Sequence, residues 1–467
     1  MESKYLNERI GFAKEIIDAL LKKYDYACIL GKDVYGKSIR VMNIAKSIGD
    51  TFEKQRGFVI KVFHQNIYSE YSFSKLEKEL IPSIIENVEN SLNLSDPLLK
   101  DHMNLSLLDD EPLVKDFDRP KEGKKYETEE IFNIACKFTD ELASKSDKII
   151  QCGLIVEEYT VNSFFISKNR QLTQTFSWSM VFPIAAVREG NNIKVGRRNY
   201  LGNNLEENLA RANKEGFGVI DDALALLKAE TIEAGEYDII THPSITGLIA
   251  HEAFGHGVEM DMFVKNRAKS RLYINKPVAS PLVNMHDGAA ATYSCASYFF
   301  DDDGVLAQDT LIIDKGILKT GICDVIAANE LKCKSTGNSR RESPYRKAYT
   351  RMTNTFFEPG KDKLEDMIKS IKHGYMLFET NNGMEDPKNW NIQCVAEYGK
   401  EIKDGKFTGK IVSPVVMSGY VPDLLMSISA VSDDFEIIGA GHCGKGHKEW
   451  VPVSDGGPYL KARCKLS

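Results

Sequence analysis

Nothing in this 467-residue chain reads as a membrane-spanning helix. Its longest apolar runs, near 148–155 and 410–417, fall well short of the ~20 residues a crossing helix requires. A surplus of positive charge is also missing. The 60 Lys and Arg face 67 Asp and Glu, giving a net charge of −7 and a pI near 5.8. No global attraction therefore draws the chain to nucleic acid or to an anionic membrane. Local basic clusters (Lys265, Arg267, Lys269, Arg271; Arg340, Arg341, Arg346, Lys347, Arg351) read as solvated surface or as anchors for an anionic substrate end. Repeats of solenoid or propeller period are absent. The opening MESKYLNERIGFAKEII mixes acids and bases without a continuous apolar segment, so no secretory signal is expected. The 9 cysteines are odd in number and irregularly spaced. They do not form a disulfide framework and point to a reducing cytoplasm, with most thiols acting as small core residues.

What is present is an ordinary globular composition, 42% hydrophobic and 27% charged, long enough for two or three domains. Apolar spacing predicts helices over 6–24, 74–93 and 127–144. Short β-branched runs predict strands over 26–30, 39–43 and 57–63. The polar stretch 95–125 reads as a long surface excursion. From 147 to about 200 the segments KIIQCGLIVEEYTV, SFFISKN, QTFSWSMVFPIAAV and NNIKVGRRNY predict a β-meander. A long helix follows over 205–229, with an interruption at Gly216 and Gly218. Beyond 230 the pattern is mostly short strands with turn signals at Asp303-Gly304, Lys315-Gly316 and Asp404-Gly405. Helices over 244–257, 363–372 and 422–431 interrupt them. The fold class is α+β, divided into an amino-terminal α+β domain, 1–229, and a β-rich domain, 230–467.

The segment EYDIITHPSITGLIAHEAFGHGVEMD carries His251, Glu252 and His256. A strand ends at His242-Pro243, Ser244 is a plausible N-cap, and a helix brings the two imidazoles round. Two neutral imidazoles beside one carboxylate suit a catalytic zinc site, in which Glu252 would take a proton from a water made acidic by the metal. The spacing H-E-x-x-x-H is one residue longer than the familiar H-E-x-x-H. At ~100° per residue, positions five apart differ by roughly 140° and leave the shared face. The turn must therefore widen, and a π-type distortion is expected around Ala253–Gly257, eased by Gly255 and Gly257.

A third ligand has to come from elsewhere. Cys443 is the leading candidate, in the Gly-dense segment GAGHCGKGHKEWVPVSDGGPYLKARC, expected to form an exposed turn. A thiolate with two imidazoles leaves a zinc site of net charge about +1, still a Lewis acid. Glu259, His442 and His447 are the competitors.

At these residues the chain resembles the TldD/PmbA family of metallopeptidases. HEAFGHGVEMD is similar to the zinc segment of catalytic TldD-type members, RMTNTFFEPG (351–360) to a second block, and GHCGKGHKEWVPVSDGGPYLKA to the C-terminal block. The ordered matches cover roughly 147–467. The resemblance implies an N-terminal α/β part, a C-terminal barrel-like part, and zinc held by His251, His256 and Cys443 with Glu252 as catalytic base. It implies cleavage of small or unfolded peptides reached through a restricted channel, and a homodimer or a heterodimer with a related metal-less subunit. His442 beside Cys443 departs from the expected pattern and stands as a metal competitor or outer partner. His242 and Arg351 are candidate substrate or oxyanion contacts. Glu259 and Asp261 are candidate partners orienting the imidazoles. Asn354 and Thr355 are expected to fix local turns.

Two other classes compete. Gly31 to Ser38, GKDVYGKS, fits the phosphate-binding loop pattern G-x-x-x-x-G-K-S and would make the protein a nucleotide binder. That reading requires a helix directly after the loop, whereas 38–43 alternates like a strand. The last class is a metal-free partner or binding subunit.

Overall fold

The computed structural model describes residues 1–467 apart from 52–53, 66, 94–103, 109 and 448. Its amino-terminal half is built on a nine-stranded sheet whose central strands are Tyr26–Met42 (β1), Ile149–Ile166 (β2) and Arg170–Glu189 (β3). β1 runs antiparallel to β2 from Ile29↔Ile166 to Met42↔Gly153, and β2 runs antiparallel to β3. Side chains alternate between the two faces. On one face Ala27 and Ile29 pack with Ala13, Ile16 and Leu20 of the helix Ile10–Leu20. On the same face Leu154, Val156 and Val181 pack with Ile131, Ala135 and Phe138 of the helix Thr128–Ala143. Phe300 and Val305 of the carboxy-terminal half pack with Phe165 and Leu172 on the opposite face, and that face also buries polar residues, Gln174 among them, which donates to the Phe300 carbonyl.

Several expectations change here. The runs 26–30 and 39–43 belong to one strand, β1, which includes all of Gly31 to Ser38. All of those residues pair with β2; on the other side Gly31–Val34 pair with Gln55–His64 and Lys37–Ser38 with Ala45–Asp50, so no loop is left to cradle a phosphate. The nucleotide-binding reading falls on that observation. The stretch 95–125 is not a plain excursion. Its first part lies mostly outside the described residues, but Leu113–Arg119 is a strand parallel to β3. The interruption in the 205–229 helix is real: Leu205–Glu215 and Val219–Leu226 are joined by a 3₁₀ turn over Gly216–Gly218.

The carboxy-terminal half contains a closed five-stranded barrel. Gly235–Thr241 (β4) pairs parallel with His373–Asp386 (β5), and the sheet continues through Asn391–Lys403 (β6) and Val415–Tyr420 (β7). A second sheet ends in the hairpin Glu436–Lys445 (β8) and Glu449–Gly457 (β9), with β8 at its edge. Leu460–Leu466 (β10) then returns to pair with both β7 and β4, which closes the barrel. Left-handed backbone at Lys315-Gly316 and Asp404-Gly405 closes the expected hairpins. The expected helix over 422–431 is only Val421–Met426, and a helix at Val325–Leu331 carried no strong sequence signal. The largest apolar core draws all its members from 232–466. No helix among the described residues is long and apolar enough to cross a membrane.

Candidate metal centre

β4 runs directly into the helix Pro243–Leu248. His242, not Ser244, is its N-cap: its ring accepts from the Ser244 N–H, and Pro243 fills the first helical position. The helix then widens into a π-turn over Ile249–Gly255 and tightens into a 3₁₀ turn over His256–Val258. The wider turn brings residues five apart onto one side, which an α-helix would not do. The two glycines contribute by size rather than by backbone freedom. Gly255 has ordinary helical angles. A Cβ there would lie 2.2 Å from Met352 Sδ, and one on Gly257 would lie 2.6 Å from a Glu385 oxygen.

His251, His256 and Cys443 converge, with one ligand atom from each lying within 4.8 Å of the others. Cys443 Sγ is 3.6 Å from His256 Nε2. Two ligands at ordinary Zn–S and Zn–N bond lengths in a tetrahedron stand roughly 3.6 Å apart, so this donor pair fits zinc. The rings of His251 and His256 are nearly perpendicular, with centroids 5.2 Å apart. Glu252 lies between them, 4.0 Å from His251 Nε2 and 3.7 Å from His256 Nε2. Its side chain is 22% exposed, so it faces the metal position and solvent together.

Cys443 corrects one expectation. It sits in strand β8 opposite Val451 and is buried, rather than in an exposed turn. Burial opposes ionisation of its thiol, but His256 and His251 together hold it well below the usual thiol range. Burial likewise opposes protonation of His251, yet Cys443 and Glu252 bring its pKa up to about 9. Glu259 accepts from His256 Nδ1 at 3.2 Å, which leaves the Nε2 lone pair for a metal. His251 Nδ1 is buried without a hydrogen-bond partner.

The other candidates separate by position. Glu259 orients His256, as expected. Asp261 does not reach an imidazole; it accepts from Lys445 Nζ at 2.7 Å, and Lys445 also donates to Glu259 and to the Thr350 carbonyl. Arg351 is fully buried, and its guanidinium donates to the carbonyls of Glu449 and Cys443. It fixes the β8–β9 hairpin rather than contacting substrate. His442 is adjacent to Cys443 on a strand, so its side chain points to the other face and lines a cavity with Pro452 and Trp178. His447 is exposed in the hairpin turn. His242 caps the far end of the helix, and burial together with Lys400 lowers its pKa to about 4. Asn354 and Thr355 lie in a strand, where Asn354 donates to the carbonyls of Gly288 and Thr292 and Thr355 to Asp287.

Two acids near the centre carried no motif of their own. Asp455 sits between Gly247 and Gly439, where a Cβ on either would come within 2.3 or 2.1 Å of its Oδ1. Burial raises its pKa to about 6, opposed by His251 and reinforced by Glu252. Glu385 accepts from the Gly257 N–H at 2.8 Å and is held well above the usual carboxylate range, chiefly by burial. Asp455 belongs to the same Gly-dense segment as Cys443; Glu385, at the end of β5, has no local signal.

A thiol, two imidazoles and a carboxylate gathered beneath a closed barrel define a metallopeptidase-like arrangement. Residues 234–464 match the family described as PmbA/TldA metallopeptidase C-terminal domain. The chain belongs to the TldD/PmbA family. A Methanocaldococcus jannaschii protein named a metalloprotease is 26% identical over 97% of this chain and 99% of its own. A Buchnera aphidicola protein named a metalloprotease TldD homolog is 34% identical over 51% of this chain and 50% of its own. A Saccharolobus solfataricus protein named a zinc metalloprotease TldD homolog is 28% identical over 66% and 68%. The fold is shared with TldE from Thermococcus kodakarensis, at a TM-score of 0.73 and 17% identity over 98% of this chain and 100% of the other.

Proposed function

We propose that this chain is a zinc peptidase acting on small or unfolded peptides, with His251, His256 and Cys443 as ligands and Glu252 as the proton-transferring base. The observation that carries the reading is Cys443 Sγ at 3.6 Å from His256 Nε2, with Glu252 standing against both rings. Zinc bound there would polarise a scissile carbonyl and acidify a water. Glu252 accepts the proton from the attacking water and delivers it to the departing amine. Glu259, anchored by Lys445, keeps the His256 proton on Nδ1. Arg351 fixes the strand that presents the thiolate. An extended substrate suits the unpaired outer edge of β8, where backbone pairing asks little of side-chain identity.

The 9 cysteines, all free thiols, support the reading of a cytoplasmic enzyme. A homodimer, or a heterodimer with a related subunit, is the assembly we propose. The relevant experiment is digestion of a mixed pool of unstructured peptides, with and without chelator, beside Glu252→Gln. Zinc content of about one per chain is expected, with cleavage lost to chelator and to E252Q while the fold is kept. Activity indifferent to both would defeat the mechanism. Metal-free protein inactive after zinc loading would favour a binding subunit.

A further inference from the structure

The sheet face turned away from the helices lines a continuous cleft. Ile155, Glu157 and Tyr159 of β2 and Trp178, Met180 and Phe182 of β3, alternate residues in each strand, face the β8–β9 hairpin across it. Three cavities share walls along its length. Phe182, Asn199 and Gly441 border the first two, and Trp178, Cys295 and Pro452 border the second and third. The near end includes Asp455, which senses His251 and Glu252 electrostatically. The far end is a cavity of about 560 Å³ reaching Trp450. From Gly439, opposite Asp455, to Gly444, opposite Trp450, β8 advances five residues, roughly 17 Å at ~3.4 Å each.

The far cavity has one cation without a paired acid. Lys32 pairs with Asp302 at 2.5 Å, Arg56 with Asp33 at 2.9 Å, Arg341 with Glu70 at 3.1 Å, and Lys54 with Asp50 at 2.6 Å. Glu342, an acid of the same lining, is engaged by Arg346 at 3.6 Å and by the Trp450 N–H at 3.0 Å. Arg340 also lines this cavity, and among the described residues no carboxylate pairs with it. It is 8% exposed, donates from Nη1 to the Met352 carbonyl at 2.7 Å, and has its guanidinium carbon 5.7 Å from the centre of the Tyr298 ring. The neighbouring Asp301 carboxyl offers little charge, because burial and Asp303 hold it well above the usual range. A guanidinium this buried is costly without an anion, and its planar fork suits a carboxylate.

We propose that the far end of the cleft is a carboxylate-binding subsite, in which Arg340 receives a carboxylate of an extended peptide roughly five residues from the segment held beside Asp455 at the near end. The proposal rests on the peptidase reading and adds a substrate class to it: peptides bearing a terminal carboxylate, or an acidic side chain, at that spacing. Trp178 and Phe182 give the intervening residues an apolar wall.

The test uses matched unstructured peptides in two pairs. One pair differs only in a free or an amidated C-terminus; the other, amidated throughout, differs only in Glu or Gln near that end. Each pair is measured by KM for cleavage with the zinc-loaded protein and, independently, by fluorescence anisotropy of labelled peptide on the Glu252→Gln protein. In one pair the acidic member is expected to be favoured about tenfold, and which pair shows it identifies the carboxylate. The preference is expected to fall to about one in Arg340→Gln and to recover in part in Arg340→Lys, which keeps the charge but not the fork. Thermal melting checks that both variants fold, and the Lys variant serves if the Gln variant does not. A ratio near one in both pairs for the unaltered protein, or a preference unchanged in the variants, would overturn the subsite. Arg340-dependent binding without any cleavage would overturn the peptidase reading and leave the subsite standing. Neither binding nor cleavage would overturn both.

Discussion

Gly255 shows how a single missing side chain sets the metal centre. Its angles are helical, so Ala would gain about 1 kcal/mol of helix propensity. The added Cβ would, however, meet Met352 Sδ at 2.2 Å and the Ala250 carbonyl at 2.9 Å. Overpacking of that kind costs about 1–3 kcal/mol and wins. Gly255→Ala is therefore expected to lower the melting temperature and to reduce bound zinc, read by thermal denaturation and metal analysis. A melting temperature that rises would contradict the packing argument. At this scale much of the site was legible. The helix geometry itself demanded a widened turn, because residues five apart cannot share an α-helical face. The reason for the glycines was misread: chain flexibility was expected, and close approach of Met352 and Glu385 is what requires them. Those neighbours are distant in sequence, Met352 just ahead of the strand Asn354–Phe357 and Glu385 in β5, and left no mark in the local sequence.

Among elements, the β8–β9 hairpin is the one on which the site turns. Cys443 was legible as a residue type, but its setting was not. A run dense in glycine suggested an exposed turn, yet Gly439, Gly441 and Gly444 lie in a strand, and at Gly439 the missing side chain leaves room for Asp455 across the hairpin. The strand assignment also decides between neighbours, since Cys443 and His442 must point to opposite faces. Arg351 ties both strands of the hairpin through backbone carbonyls. Arg351→Met is expected to weaken zinc binding by roughly 10–100-fold, as losses of outer partners do. The loss should appear in a zinc titration with a fluorescent competitor while the far-ultraviolet spectrum is kept. An unchanged affinity would mean that the barrel alone holds Cys443 in place. At this scale the GKDVYGKS pattern fails for a plain reason: a motif is a loop only if its backbone is unpaired, and every residue of this one is paired with β2.

Across the whole molecule, a buried set of charges joins the first sheet to the loops of the second half. Lys61 pairs with Asp303 and lies 3.5 Å from Glu70, which also receives Arg341. Burial would raise the Glu70 pKa, but Arg341 and Lys61 bring it down to about 2. A depressed carboxylate stabilises the folded state above its unfolded pKa, and that contribution is lost as pH falls through the folded value. The loss here should run from about pH 4.5 to about pH 2 and amount to about 3 kcal/mol. Glu70→Gln should therefore flatten the acid limb of a stability-against-pH curve measured by urea denaturation. A limb identical to that of the unaltered protein would assign acid sensitivity elsewhere. None of these pairings could be read in sequence, because their members are 200 or more residues apart in most cases, as with Arg341 and Glu70 at a separation of 271.

The strict alternation of β2 and β3 has a bearing on how such a protein can change over time. Val181 packs toward the helices and Trp178 and Phe182 toward the cleft, so the instructions for folding and for choosing a ligand are interleaved letter by letter along the same strands. Drift at the cleft-facing letters can retune what is accepted while the other set preserves the architecture. A register slip of one position would exchange the two messages at once.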